Sequence, residues 1–177
     1  MHASYQTVDD RPTLHFQRRI AHPVDAVWRA LTEPDELEHW FPSSVEVELR
    51  VGGAMTFTFR EHTLPDGSNT MPGEVTDVDP PRLLAFHWGE DHLRFELQPT
   101  GGGEHTLLRF TALLGAKDKA ARDAAGWHVC LDRLEQHLGG ASTTPPESAP
   151  SEEWRGHYEE YAGRGFPTGA WLPDPAA

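Results

Sequence analysis

Eleven histidines carry most of the chemistry open to this chain, as metal ligands or as proton carriers near neutral pH. Metal binding asks for histidines one helical turn apart or for paired cysteines, and the sequence has no HExxH, no H-x3-H and no CxxC. No metal and no cofactor is therefore expected. His87 and His92 flank one turn between strands, and the alternation around them points His87 away from Phe86 and Trp88, to an outer face. His128 stands beside Trp127, one residue off the apolar stripe of a long helix. From there it could lean into the mouth of an interior cavity and move a proton. The plainer reading is a hydrogen-bonded structural histidine.

The carboxylates pair no better. Glu46 and Glu48 share the polar face of one strand, whereas Glu74 and Asp77 lie on opposite faces of another. Glu74 could face the interior, where burial would raise its pKa and suit it to acid or base work, but the sequence supplies no partner for it. Cys130, the single cysteine, has no base near it in sequence and reads as a small apolar group. GxSxG, P-loop and GxGxxG patterns are absent. No residue is assigned a catalytic role.

The elements that must position these groups are legible. In Phe16 to Phe41 a strand runs to His22-Pro23, a break with proline at the start of a helix. Val24, Val27, Trp28 and Leu31 then form one apolar stripe over two turns. Thr32-Glu33-Pro34 stops that helix and starts a second, which ends at Trp40-Phe41-Pro42. From there the period changes to two. Val45 to Val51 alternates apolar and charged residues up to the Gly52-Gly53 turn, and Met55, Phe57 and Phe59 share one face of the next strand. A polar loop, His62 to Thr70 with a Pro-Asp-Gly turn, precedes strands at Gly73–Val78, around Leu84–Trp88, around Leu93–Leu97 and around Thr106–Ala112. About seven strands result, six of them consecutive. A helix from about Asp118 to Leu138 follows, its stripe Trp127, Leu131, Leu134 and Leu138, and Gly139-Gly140 ends it. The order is β-α-α-β6-α, an α+β fold in which a curved antiparallel sheet wraps a long C-terminal helix.

Composition narrows the partners. The formal net charge of −13, with no stripe of Lys or Arg, argues against nucleic acid and against anionic membrane surfaces. No apolar run approaches a bilayer span, and no secretory signal is visible. One cysteine excludes an internal disulfide framework, so a cytoplasmic location is expected.

These residues, in order and at these spacings, resemble a known group. The pattern runs through His22-Pro23, Trp28, Leu31-Thr32, Pro34 and Trp40-Phe41, then Val51-Gly52-Gly53, Gly73-x-Val75 and Asp79-Pro80-Pro81-x-Leu83. Phe86-x-Trp88 follows, and Gly126-Trp127-x3-Leu131-x2-Leu134 closes it. The chain resembles the activator-of-Hsp90-ATPase-like branch of the START/Bet v 1 (helix-grip, SRPBCC) superfamily over residues 12–140. The resemblance implies a cavity between the concave sheet face and the long helix. Its expected lining is Trp40, Phe41, Met55, Phe57, Phe59, Phe86, Trp88, Phe95, Phe110, Trp127 and Leu131, with Glu74 and His128 as the polar candidates. The same aromatics could equally fill a core.

Three functions are compatible with that reading. The first is a non-catalytic carrier or sensor of a small hydrophobic ligand. The second is an enzyme of the polyketide cyclase or aromatase kind, with Glu74, Arg18 and His128 as its candidate polar residues. The third, suggested by the family's name, is a protein-binding, chaperone-assisting role, which an exposed patch of apolar and charged residues on the outer sheet face would favour.

The termini read separately. Residues 1–11 are expected to be flexible, and Ala141 to Ser151 is a Pro/Ser/Thr linker. In the tail, residues 152–177, a short helix from Glu152 to Tyr161 has Ser151 as its N-cap and a Trp154, Tyr158, Tyr161 stripe. Such a stripe should dock on the domain or on a second subunit, so a homodimer stays open. Beyond Gly163 the chain is expected to be loose, with Phe166 and Trp171 able to extend the docking.

Overall fold

Alternating sequence stretches become eight strands of one antiparallel sheet in the computed structural model, which describes residues 2–60, 64, 67–143 and 151–172. The strands are β1 (Ser4–Val8), β2 (Arg11–Ile20), β3 (Ser44–Val47), β4 (Ala54–Thr58), β5 (Thr70–Asp79), β6 (Leu83–Trp88), β7 (Asp91–Thr100) and β8 (His105–Leu113). Their order is β1-β2-β8-β7-β6-β5-β4-β3. Helices α1 (Val24–Thr32) and α2 (Pro34–Leu37) join β2 to β3, α3 (Ala120–Leu138) follows β8, and α4 (Glu152–Gly163) ends the described fold. This is the expected α+β helix-grip arrangement, with one strand more.

The additional strand corrects the expectation of a flexible N-terminus. Ser4 to Val8 pairs with β2 from Ser4↔His15 to Val8↔Arg11. Asp9 and Asp10 make the two-residue turn at φ 48° and 61°. Aspartate tolerates that left-handed region better than most residues, so Asp9-Asp10 was a hairpin signal in the sequence.

The register builds the core. Phe16, Phe110, Phe95 and Leu84 pair in one row across β2, β8, β7 and β6. Leu14, Ala112, Leu93, Phe86 and Val75 form the next row, and all nine side chains are buried. Helix α3 lays Trp127, Leu131 and Leu134 against this face. At its N-terminal end Lys119 bonds the buried Asp91 carboxylate at 2.7 and 2.8 Å and pairs with Asp123 at 3.5 Å, joining the β6–β7 turn to the helix.

One strand expectation differs from the structure. The alternation Val45–Val51 predicts a strand up to Gly52, but β3 stops at Val47 and leaves Leu49 and Val51 exposed. Arg50 N–H donates to Glu48 O and Gly53 N–H to Arg50 O, so the segment closes into a wide turn and leaves the ladder. Of the loop expected from His62 to Thr70, His62, Thr63, Pro65 and Asp66 lie outside the described residues, and Thr70 already begins β5.

Candidate functional site

The corner after α2 carries the centre of the aromatic interior. Trp40 and Phe41 follow α2 and are held by backbone bonds, Trp40 N–H and Phe41 N–H both donating to Leu37 O. Trp40 is fully buried, and its indole N–H donates to Ala30 O at 2.8 Å, so its only polar atom is satisfied inside the fold. Phe41 sits among five rings, with centroids of Trp88 at 5.1 Å, Trp40 at 5.4 Å, Trp127 at 5.8 Å, Phe57 at 6.1 Å and Phe86 at 6.4 Å.

A void lies within this packing. It measures about 10 Å³, room for about a single water. Trp40, Phe41, Met55, Phe57, Phe86 and Phe95, all candidates for a cavity lining, line it together with Leu31, Leu37 and Val45. Leu31 and Val45 belonged to the helix and strand stripes and could have been named. Leu37 had no periodic signal, because α2 is a single turn. Trp88, Phe110, Trp127 and Leu131 pack in the same core around the void but are not part of its wall.

Three expected site residues stand elsewhere. Phe59 follows the end of β4 and is half-buried, its ring 5.6 Å from Trp88 at the rim. Glu74 is exposed: it pairs with the exposed Ala54 on the outer face, and Gly73 and Val75 are the inward positions. A Cβ on Gly73 would come 2.5 Å from the Phe57 ring, so glycine makes room for that ring, and strand parity then turns Glu74 outward. His128 is buried, yet away from the void and under α4. His87 lies on the outer face, as its parity predicts.

The surroundings of His128 form a second, polar cluster. Its Nδ1 shares a 2.8 Å hydrogen bond with the Tyr161 hydroxyl, which also accepts the Ala3 N–H at 2.9 Å. Its ring stacks on His157 at 3.8 Å, and the His2 ring meets it edge-on at 5.3 Å. Burial, followed by the charges of His157, Arg18 and His2, pushes the imidazole pKa down to about 3. Arg18 is itself buried and pairs with Asp132 at 3.1 Å and Glu135 at 3.0 Å. Cys130 is buried nearby on α3, and desolvation pushes its thiol up to about 12, leaving it inert.

A sheet folded around a closing helix, with two helices inserted after the second strand, is matched by one family model. The model described as Activator of Hsp90 ATPase homolog 1-like protein matches residues 21–139. The chain belongs to that family.

No curated protein matches the chain. Solved structures do, among them a conserved protein of unknown function, EF2215 from Enterococcus faecalis. It is 27% identical with a TM-score of 0.68, over 92% of this chain and 91% of that one. CalU16 from Micromonospora echinospora, at 22% identity and a TM-score of 0.70 over 92% of both chains, shares the fold. Cover of 92% is too large to leave out the whole of the C-terminal segment after Gly140, so part of that segment has a counterpart in both. The AHSA1-like protein from Aeromonas hydrophila, 23% identical with a TM-score of 0.58, is matched over 71% of this chain and 92% of its own. Among the described residues no helix is long and apolar enough to cross a membrane.

Proposed function

We propose that this domain binds a small hydrophobic molecule without transforming it, as a cytoplasmic carrier or sensor. The observation behind this reading is the void beside Trp40 and Phe41, whose nine lining residues are all apolar or aromatic. Its one indole N–H is already satisfied by Ala30. Such a wall offers burial and shape and no acid, base or nucleophile. The polar residues that a cyclase-like reading would need are placed apart from it. Glu74 faces solvent, and Arg18 and His128 are engaged along α3.

A void of about 10 Å³ admits no ligand as it stands, since drug-sized sites run to roughly 300–1,000 Å³. Binding therefore requires the corner from α2 to β3 to move outward, taking Trp40 and Phe41 with it. The helix that leads into that corner, α2, has four residues. The large apolar side chains exposed among the described residues are Leu49, Val51, Trp171 and Leu172. They lie in the turn between β3 and β4 and in the tail, not on the strands whose outer face would carry a chaperone-assisting patch.

Native mass spectrometry of protein purified from its own host, followed by denaturing extraction, tests the reading. An apolar compound at about one per chain supports it. Protein at the bare mass of the sequence, unable to take up any member of an apolar compound panel, would sink it.

A further inference from the structure

A group of metal-ligating side chains lies between α3 and α4, independent of the apolar void. His128 and Asp132 stand one turn apart on α3, and His157 comes from α4. One ligand-capable atom of each lies within 4.8 Å of the other two. His128 Nε2 and Asp132 Oδ2 are 3.6 Å apart. Two donors on a tetrahedral zinc ion, with bonds of about 2.1 Å, are separated by about 3.4 Å.

The neighbours orient these groups as the surroundings of a metal centre do. The second nitrogen of His128 is held by Tyr161, which fixes the ring about the edge it turns to Asp132. Arg18 takes Asp132 Oδ1 at 3.1 Å and leaves Oδ2 on the side of His128. His157 stacks face to face on His128, with ring centroids 3.8 Å apart, and holds a ring nitrogen within 4.8 Å of the ligand atoms of His128 and Asp132. Asp132 and His157 are half-buried, which leaves a further coordination position open to water.

We propose that His128, Asp132 and His157 bind one divalent transition-metal ion of the zinc type and so clip helix α4 onto α3. Two imidazoles and one carboxylate suit zinc, copper or nickel and disfavour magnesium and calcium, which prefer all-oxygen sites. A spacing search for histidine pairs misses the site, because its second helix position is an aspartate and its third ligand arrives from another helix.

The test is a Zn2+ titration of the full chain after chelator treatment, followed by calorimetry and native mass spectrometry. One zinc per chain is expected, with a higher thermal midpoint that Mg2+ does not reproduce. H157Q should weaken zinc binding by at least about tenfold and should leave the chelator-treated midpoint close to the parent's. If H157Q does not fold, D132N takes its place in the same titration, since Arg18 keeps Glu135 as a partner. Other histidine pairs, His39–His137 beside Glu36 and His87–His92, are places for adventitious zinc. Absence of zinc binding, or binding of undiminished affinity in the variant, overturns the proposal.

Discussion

The Tyr161 hydroxyl lies 2.8 Å from His128 Nδ1 and 2.9 Å from the Ala3 amide nitrogen, so one buried oxygen ties α4, α3 and the chain entering β1 together. These atoms are far apart in sequence and shut away from water, so losing the oxygen leaves two polar groups unsatisfied. Y161F should therefore cost about 1–3 kcal/mol in denaturant unfolding and speed amide exchange in β1. A variant as stable as the parent would show that the oxygen holds nothing.

Removing the segment after Gly140 should do more harm than Y161F. Tyr161 is fully buried, Phe166 nearly so, and Trp154 and Tyr158 pack in part against the core. Loss of two buried aromatics alone corresponds to several kcal/mol, at about 3–5 each for truncation to alanine. The shortened protein should melt markedly lower, and an unchanged midpoint would rule out α4 as part of the stable fold.

Acid should weaken the metal-free protein. The folded pKa of His128, about 3, lies below its ordinary value of 6.5, so the folded state favours the neutral ring. That contribution is complete above pH 6.5 and is lost as pH falls toward 3, at up to about 1.4 kcal/mol per pH unit. His157, Arg18 and His2 act in the same sense as burial, whereas Asp132 at 3.6 Å opposes them. Denaturant midpoints measured from pH 7 to pH 5 in chelator should fall, and H128N should flatten that slope.

Gly73 is predicted to be intolerant of a side chain. An added Cβ would stand 2.5 Å from the Phe57 ring and 2.6 Å from His87 O. The ring can shift only into its packed neighbours and the carbonyl belongs to β6, so G73A should cost about 1–3 kcal/mol. Thermal melting measures it, and a midpoint equal to the parent's would show that β5 has slack.

At the N-terminal end of α3, K119M should cost about 3–5 kcal/mol, because it leaves the buried Asp91 carboxylate with the Gly115 N–H and no cation, while Asp123 keeps Arg122 at 2.8 Å. Asp123 already sits above the ordinary carboxylate range, from burial first and with Asp91 adding to the effect. The variant should regain part of its stability as pH is lowered toward the range where one carboxyl protonates. A loss that does not depend on pH would point to packing alone.

Much of this architecture is written in local pattern. Periods of 3.6 and 2, and the breaks at His22-Pro23, Gly52-Gly53 and Gly139-Gly140, suffice to place α1, α3 and the strands from β3 to β8, because apolar spacing decides which face of each element can leave water. Ser151 as the cap of α4 was legible for the same reason, and its side chain does accept the Trp154 N–H at 3.1 Å. Six of the nine residues around the void were among the candidates that the family resemblance implied. Tertiary structure alone decided the rest. Whether the aromatics enclose a cavity or fill it depends on how rings such as Phe41 and Trp88 interlock, and no one-dimensional pattern encodes ring angles. Glu74 faces water because Gly73 yields its inner position to the Phe57 ring, a contact between strands. His128, Asp132 and His157 become neighbours only when α4 folds back on α3, since the third residue lies beyond the linker and close approach in space leaves no mark on spacing in sequence.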